Sequence, residues 1–210
     1  MKRFLCFILI MALLIPPTAA IEPDSDPFFV HISSAFGDAE DEVIVTGYVR
    51  NAPVCASYRV IFTYDTKVLQ PVSGKNVDPK GLAIVNIHSV YQEKNAINCL
   101  AAHSDMVLEG DKTLFEITFK IISEAEGNIS PLKLEHYEFF DGTVGKPQAQ
   151  IPASISVGKV YTSRMLEPIL TLQTLLGYDR GLHILDVDRN GDELLTVADA
   201  VLCARELAAL

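Results

Sequence analysis

The chain has 210 residues, enough for one medium domain and a small one, and its 27 acidic residues outnumber 17 basic ones for a net charge of −10. That balance argues against nucleic acid and anionic membrane surfaces as partners. Tryptophan is absent, so a sugar-binding face would have to be built from the 7 tyrosines and 10 phenylalanines.

Residues 1–20 predict a secretory signal peptide. Lys2 and Arg3 give a basic start, 4–15 is an apolar run, and Thr18-Ala19-Ala20 supplies small residues before a cleavage point after Ala20. The run is too short to span a bilayer comfortably, so no membrane span is expected after cleavage. Cleavage removes two basic and no acidic residues, which takes the mature charge to −12. The mature protein is expected outside the cytoplasm, secreted to the extracellular space or held in a periplasm.

From 26 to about 160 the pattern is β. Runs at 28–33, 42–50, 58–64, 82–90, 96–102, 113–122, 132–137 and 151–157 are apolar or β-branched. In 58–64, Tyr58, Val60, Phe62 and Tyr64 share one face, and Arg59, Ile61 and Thr63 the other. The clearest period of two is in 113–122, with Phe115, Ile117, Phe119 and Ile121 against Glu116, Thr118 and Lys120. Ser73-Gly74, Asp141-Gly142 and Gly145-Lys146-Pro147 read as turns. Eight or nine short strands without helical period predict an antiparallel sandwich.

After 160 the period changes. Segments 168–176 and 198–209 predict helices, with Ile169, Leu172, Leu175 and Leu176 on one face of the first and Val201, Leu202 and Leu207 on the second. Pro168 suits a first turn and Gly177 a C-terminal cap. Between them lies Asp188-Arg-Asn190-Gly-Asp192-Glu193-Leu194-Leu195-Thr196-Val-Ala-Asp199. Taken as positions one, three, five and twelve, Asp188, Asn190, Asp192 and Asp199 have the ligand spacing of a calcium loop, with the Leu194 carbonyl at seven and Leu195 pinned inward at eight. Ca²⁺ is a hard ion that wants six to eight oxygens, and alternate side chains of a short loop can supply them. A frame starting at Asp186 puts Gly191 at the turn position but Val197 where the last ligand is needed. The Asp188 frame fails only at six, where Glu193 stands for glycine. Thr196 and Asp199 also form a capping box, which explains those two residues but not the three oxygen side chains upstream.

The tail carries an internal repeat at an offset of 32 residues that lays Glu167 over Asp199 and 167–175 over 199–207. The first copy's loop would begin at Ser156, with Gly158 and Val160 at three and five. These cannot form a cage, so one calcium ion is expected rather than two.

The three mature cysteines fit no zinc spacing. An exported setting permits a disulfide. Cys55 and Cys99 both open strand-like runs and are candidates for a cross-strand pair, whereas Cys203 on the last helix suits a buried thiol. His31, His88, His103, His136 and His183 are scattered, and no nucleophile, phosphate-loop or metalloprotease motif is present. No catalytic residue is assigned, and no enzyme is expected.

Residues 186–202 and 167–177 together resemble a dockerin, a module of two calcium-loop-plus-helix repeats. The sandwich is similar to a cohesin, the dockerin's receptor. Tyr64-Asp65-Thr66-Lys67-Val68-Leu69 resembles the turn after the third cohesin strand, and Gly110-Asp111-Lys112-Thr113-Leu114-Phe115-Glu116-Ile117-Thr118-Phe119-Lys120 a later strand. Ile155-Ser156-Val157-Gly158 resembles the close of the domain. The resemblance implies a mainly β fold, a nine-stranded jelly-roll β-sandwich of the cohesin and carbohydrate-binding kind over 26–160, with a small α-helical, calcium-loop, dockerin-like tail over 161–210. It places the strand carrying Tyr58 beside the one carrying Cys99, which sharpens the Cys55–Cys99 disulfide. It also makes the outward side of that strand pair, with Arg59, Ile61 and Thr63, the side that meets a dockerin. The implied function is non-catalytic, calcium-dependent assembly with secreted proteins that carry dockerin or cohesin modules, in the setting of polysaccharide degradation. The alternative is a polysaccharide-binding sandwich with a vestigial calcium tail.

Overall fold

The computed structural model describes residues 28–77, 82–102, 108–141 and 149–209. The signal-peptide reading of 1–20, His103 and the turn at 145–147 lie outside them. The chain divides into two compact units between Thr162 and Ser163.

The first unit is a β-sandwich. Twelve strands are found among the described residues where the sequence predicts eight or nine. β1 (Phe29–Ile32), β2 (Ala35–Phe36), β3 (Glu42–Cys55) and β4 (Ser57–Thr63) open it. β5 (Leu69–Asn76), β6 (Leu82–Tyr91), β7 (Lys94–Ala102) and β8 (Leu108–Ile121) follow, then β9 (Ile129–Pro131), β10 (Lys133–Phe140), β11 (Ser154–Val157) and β12 (Lys159–Tyr161). One sheet has the order β11-β1-β3-β8-β5 and the other β10-β4-β7-β6, and a small sheet β2-β12-β9 stands beside them. All pairings are antiparallel except β1 with β11 and β2 with β12.

Alternation sets which side chains face inward. Phe115, Ile117, Phe119 and Ile121 of β8 meet Tyr58, Val60 and Phe62 of β4 and Ile97, Cys99 and Ala101 of β7 in one core. Phe62, Phe115, Phe119 and Phe139 are fully buried, and each contributes about 1.5–3 kcal/mol of transfer free energy. The rings also pair, Phe62 with Phe115 at 6.0 Å and Tyr64 with Phe119 at 5.1 Å.

One turn expectation is corrected, and one strand runs past its expected end. Ser73-Gly74 lies inside β5, because a Cβ on Gly74 would sit 2.5 Å from Val85 and 2.7 Å from Ile87. The glycine marks a close approach of the two sheets, not a turn. The strand expected over 42–50 does not end at Arg50. β3 continues to Cys55 through two irregularities in its pairing with β8, with Asn51 at φ 50° and its N–H held by Asp111 Oδ1 at 2.8 Å. The turn at 64–69 is as the resemblance implies: the N–H groups of Val68 and Leu69 donate to the Asp65 carbonyl, and that of Lys67 to its carboxylate.

The second unit holds α1 (Leu166–Leu175), α2 (Ile184–Val187) and α3 (Val197–Ala208). α1 ends as its sequence dictates. Gly177 takes φ 85°, its N–H reaches the Thr174 carbonyl and that of Tyr178 the Gln173 carbonyl, a Schellman arrangement. α1 packs on α3, with Leu175 the one residue of the expected stripes that is buried. On α1 the buried side is Glu167, Pro168, Thr171 and Leu175, and Leu176 is exposed. On α3 it is Asp199, Ala200, Cys203 and Ala204. Small side chains on α3 let the helices approach closely, and Glu167 is drawn inward by a partner described below.

Candidate functional site

Two places concentrate functional side chains: the acidic loop of the helical unit, and the outward face of the four-stranded sheet.

The acidic loop runs from Asp188, at the end of α2, to Asp199 in the first turn of α3. Asp186 is occupied elsewhere, since its Oδ2 accepts the His183 N–H at 3.3 Å and His183 Nδ1 accepts the Leu185 N–H, which caps α2. Asp188 then turns both oxygens into the loop and accepts the N–H of Gly191 (2.7 Å) and of Glu193 (2.9 Å). Asn190 Oδ1 accepts from Asp192 N–H, and Asp192 Oδ1 from Leu194 N–H, each at 2.9 Å. Asp199 is 0 % exposed, and its Oδ1 accepts from the N–H of Arg189 (2.9 Å) and Asn190 (3.3 Å). Its Oδ2 accepts from the Thr196 N–H (2.8 Å) and hydroxyl (3.0 Å), so the capping box and the loop closure are one device. Leu195 is buried as position eight requires. Glu193 at position six has φ 62°, the left-handed region in which a side chain is costly. The donor set is all oxygen, the chemistry of a hard cation. As the side chains stand, no three His, Cys, Asp or Glu among the described residues gather to hold a metal. Their oxygens are engaged by the loop's own amides. In the segment that the internal repeat lays over the acidic loop, Ser156 and Val157 belong to β11 and Lys159–Tyr161 is β12.

Across the four-stranded sheet the outward side chains form rows. Phe140, Ser57, Ala102 and Leu82 make the first, and Glu138, Arg59, Leu100 and Ile84 the second. His136, Ile61, Asn98 and Asn86 follow, then Lys133, Thr63, Ala96 and Ser89. The face is not uniform. Leu82 is 61 % and Ile84 43 % exposed, whereas Ile61 is 1 % and Thr63 7 % exposed although they point the same way. The end of the β6–β7 hairpin closes that part. The Tyr91 ring stacks on His136 at 6.4 Å, and Lys94 Nζ lies 3.4 Å from Glu135 Oε1, which also accepts the Thr63 hydroxyl at 3.0 Å. Those partners hold the Glu135 carboxyl below the usual range, the Thr63 hydrogen bond first and the lysines after it.

Residues 28–157 match the family of cohesin domains. The chain belongs to the cohesin family. Cohesin domains are non-catalytic modules of protein–protein assembly, which agrees with the absence of a recognisable catalytic motif in the sequence. Solved cohesins share the fold. The seventh ScaB type I cohesin of Pseudobacteroides cellulosolvens is 20 % identical with a TM-score of 0.54, over 64 % of this chain and 90 % of that one. A non-cellulosomal cohesin of Archaeoglobus fulgidus is 19 % identical with a TM-score of 0.51, over 64 % and 89 %. A type I cohesin–dockerin complex of Clostridium thermocellum (Coh-OlpC-Doc435) gives 17 %, 0.54, 70 % and 97 %. No curated protein matches the chain.

Within this cohesin domain the expected Cys55–Cys99 disulfide is not formed. Cys55 and Cys99 are free and buried, as is Cys203. Cys55 closes β3 opposite Leu108 in the five-stranded sheet, and its Sγ donates to the Pro53 carbonyl. Cys99 sits in mid-β7, and its cross-strand partners are Val60 and Val85. The two are on different sheets, so they are not cross-strand neighbours. Burial pushes the Cys55 thiol up to about 11 and raises Cys99 further.

Of the three outward residues named from the sequence, Arg59 alone is exposed. Leu82 and Ile84 were not legible as a surface, because 82–91 is apolar on both faces and lacks the alternation that separates in from out.

Proposed function

We propose that the protein is an exported assembly module whose cohesin domain docks a dockerin-type partner on the outward face of the four-stranded sheet. The exposed Leu82, Ile84 and Ala102, with the half-buried Leu100 beside them, carry this reading, because apolar side chains side by side on an open sheet suit a protein partner. Complexes with dockerins among the similar structures support it. Calorimetry of the mature protein against dockerin modules should detect binding that Leu100→Glu abolishes without lowering the unfolding midpoint. Unchanged binding by that variant removes this face from the contact.

The helical unit is read as a degenerate dockerin that holds one calcium ion. Asp188, Asn190, Asp192 and Asp199 would ligate through side chains and Leu194 through its carbonyl, with the ion offsetting the repulsion of three carboxylates. Assembly in an extracellular polysaccharide-degrading setting follows from the pairing of the two module types. Titration of the chelated protein with Ca²⁺ should show one site and order the residues after 183. No heat and no change in amide exchange there would remove the metal.

A further inference from the structure

The end of the hairpin that joins β6 to β7 is latched rather than packed into the core. We propose that residues 87–95 form a strap that opens and closes over Ile61 and Ala96. The proposal goes beyond the docking reading, since it concerns whether these side chains can be reached and not what reaches them. The segments involved, 61–63, 86–99 and 133–136, all belong to the described residues.

Ile61 and Ala96 stand in the outward rows of the four-stranded sheet, yet they are 1 % and 0 % exposed, and neither belongs to the core cluster between the sheets. Thr63, directly opposite Ala96, is buried with them. Their cover is the hairpin. The order β10-β4-β7-β6 puts two strands between β6 and β10, a separation of about 14 Å at ordinary strand spacing. Even so, the Tyr91 ring lies 6.4 Å from that of His136, and Lys94 Nζ lies 3.4 Å from Glu135 Oε1. The hairpin end therefore arches across β7 and β4, over Ala96 and Ile61.

Three features make this end able to swing. Between Asn86 and Ser89, β6 takes three steps where β7 takes two from Asn98 to Ala96, a bulge that bends the strand where the arch begins. A second irregularity, between Leu134 and His136 of β10, lets Glu135 reach both the Thr63 hydroxyl and Lys94. At the tip, the pairing of Tyr91 with Lys94 leaves a two-residue turn, with Gln92 at φ 47° and Glu93 at φ 66°. That turn favours Asn-Gly, and other residues stay in it only while their surroundings hold them there. Val90, Gln92, Glu93 and Asn95 are exposed, so the strap is attached through Tyr91 and Lys94. Releasing one ring stack and one ion pair whose lysine is largely in water leaves the sandwich core intact. Such an opening is far less costly than global unfolding. Closed, this end of the sheet presents polar and charged groups; open, it presents an apolar site.

The test introduces Ala96→Cys into the full mature chain and labels the native protein with iodoacetamide. Peptide mass reads position 96 and Cys99, which lies three residues further along β7 and faces the core. The new thiol should react at least about ten-fold faster than Cys99, and adding Tyr91→Ala should speed it about ten-fold more while leaving Cys99 unchanged. Amide exchange of the protein without the new thiol gives a second reading. Amides of 87–95 should exchange ahead of those of 97–101, and Tyr91→Ala should widen the gap. Equal labelling at the two thiols, or one common exchange rate for both segments, would show that the hairpin opens only with the whole domain and overturn the proposal. Rates at 87–95 and at position 96 that Tyr91→Ala leaves unchanged would overturn it too, because the ring would then not be the latch.

Discussion

Arg189, at position two of the acidic loop, is ion-paired with Glu167 of the first helix. Glu167 is buried, and it is the residue that the internal repeat lays over Asp199. Arg189 therefore ties the two repeats together at both ends: its N–H donates to Asp199 and its guanidinium holds Glu167, with Glu206 3.9 Å away on the exposed side. Glu167 thus meets a guanidinium, whereas Asp199 meets backbone amides and the Thr196 hydroxyl.

Removing either partner leaves the other charge partly buried. Arg189→Met or Glu167→Gln should each destabilise the helical unit by about 1–3 kcal/mol, below the fully buried range because the Arg189 side chain keeps some solvent. The double variant should recover part of that loss. Unfolding of the helical unit followed by circular dichroism in EDTA reads the cycle, and strict additivity of the two single losses would show that the pair is uncoupled.

Glu193→Gly should stabilise the loop. The left-handed φ of 62° costs a non-glycine residue about 1 kcal/mol, partly offset by the greater freedom of glycine in the unfolded chain. Calcium affinity should rise about two- to five-fold, read by competition with a chelating dye. A weaker site would mean that the Glu193 side chain itself aids binding.

All three buried cysteines should count as thiols. Burial pushes Cys55 up to about 11 and Cys203 up to about 12, with Glu167 adding to the latter, so at pH 8 both are protonated and shielded. Iodoacetamide should leave the folded mature protein unmodified and label three sites in guanidinium without reductant. Labelling at one site only would restore the Cys55–Cys99 bridge.

The hairpin closure should weaken in acid. Glu135 titrates below an ordinary carboxylate when folded, so its contribution is complete above the unfolded value and is lost as pH falls through the folded one. The difference in unfolding midpoint between wild type and Glu135→Gln should be present at pH 6 and vanish by about pH 3. A difference independent of pH would assign the effect to packing.

Much of the fold was legible because β-strands announce themselves by a period of two. Phe115, Ile117, Phe119 and Ile121 specify which side of β8 is core, and Pro168 and Gly177 bracket the first helix. Where that period fails, the reading failed too. Ser73-Gly74 looks like a turn because sequence does not reveal that Val85 and Ile87 of the other sheet press on Gly74. The buried stripe of α1 was displaced because Glu167 is buried with Arg189 as its partner, and that residue lies 22 positions away.

The sequence by itself determined which side of the strand at 113–121 faces the core and where the first helix ends, since these depend on the pattern along one segment. Only the tertiary structure decided that Cys55 and Cys99 stand on different sheets, and that a hairpin covers Ile61 but leaves Leu82 and Ile84 open. Both depend on which strands become neighbours, and that is set by the packing of the whole core rather than by any one stretch of chain.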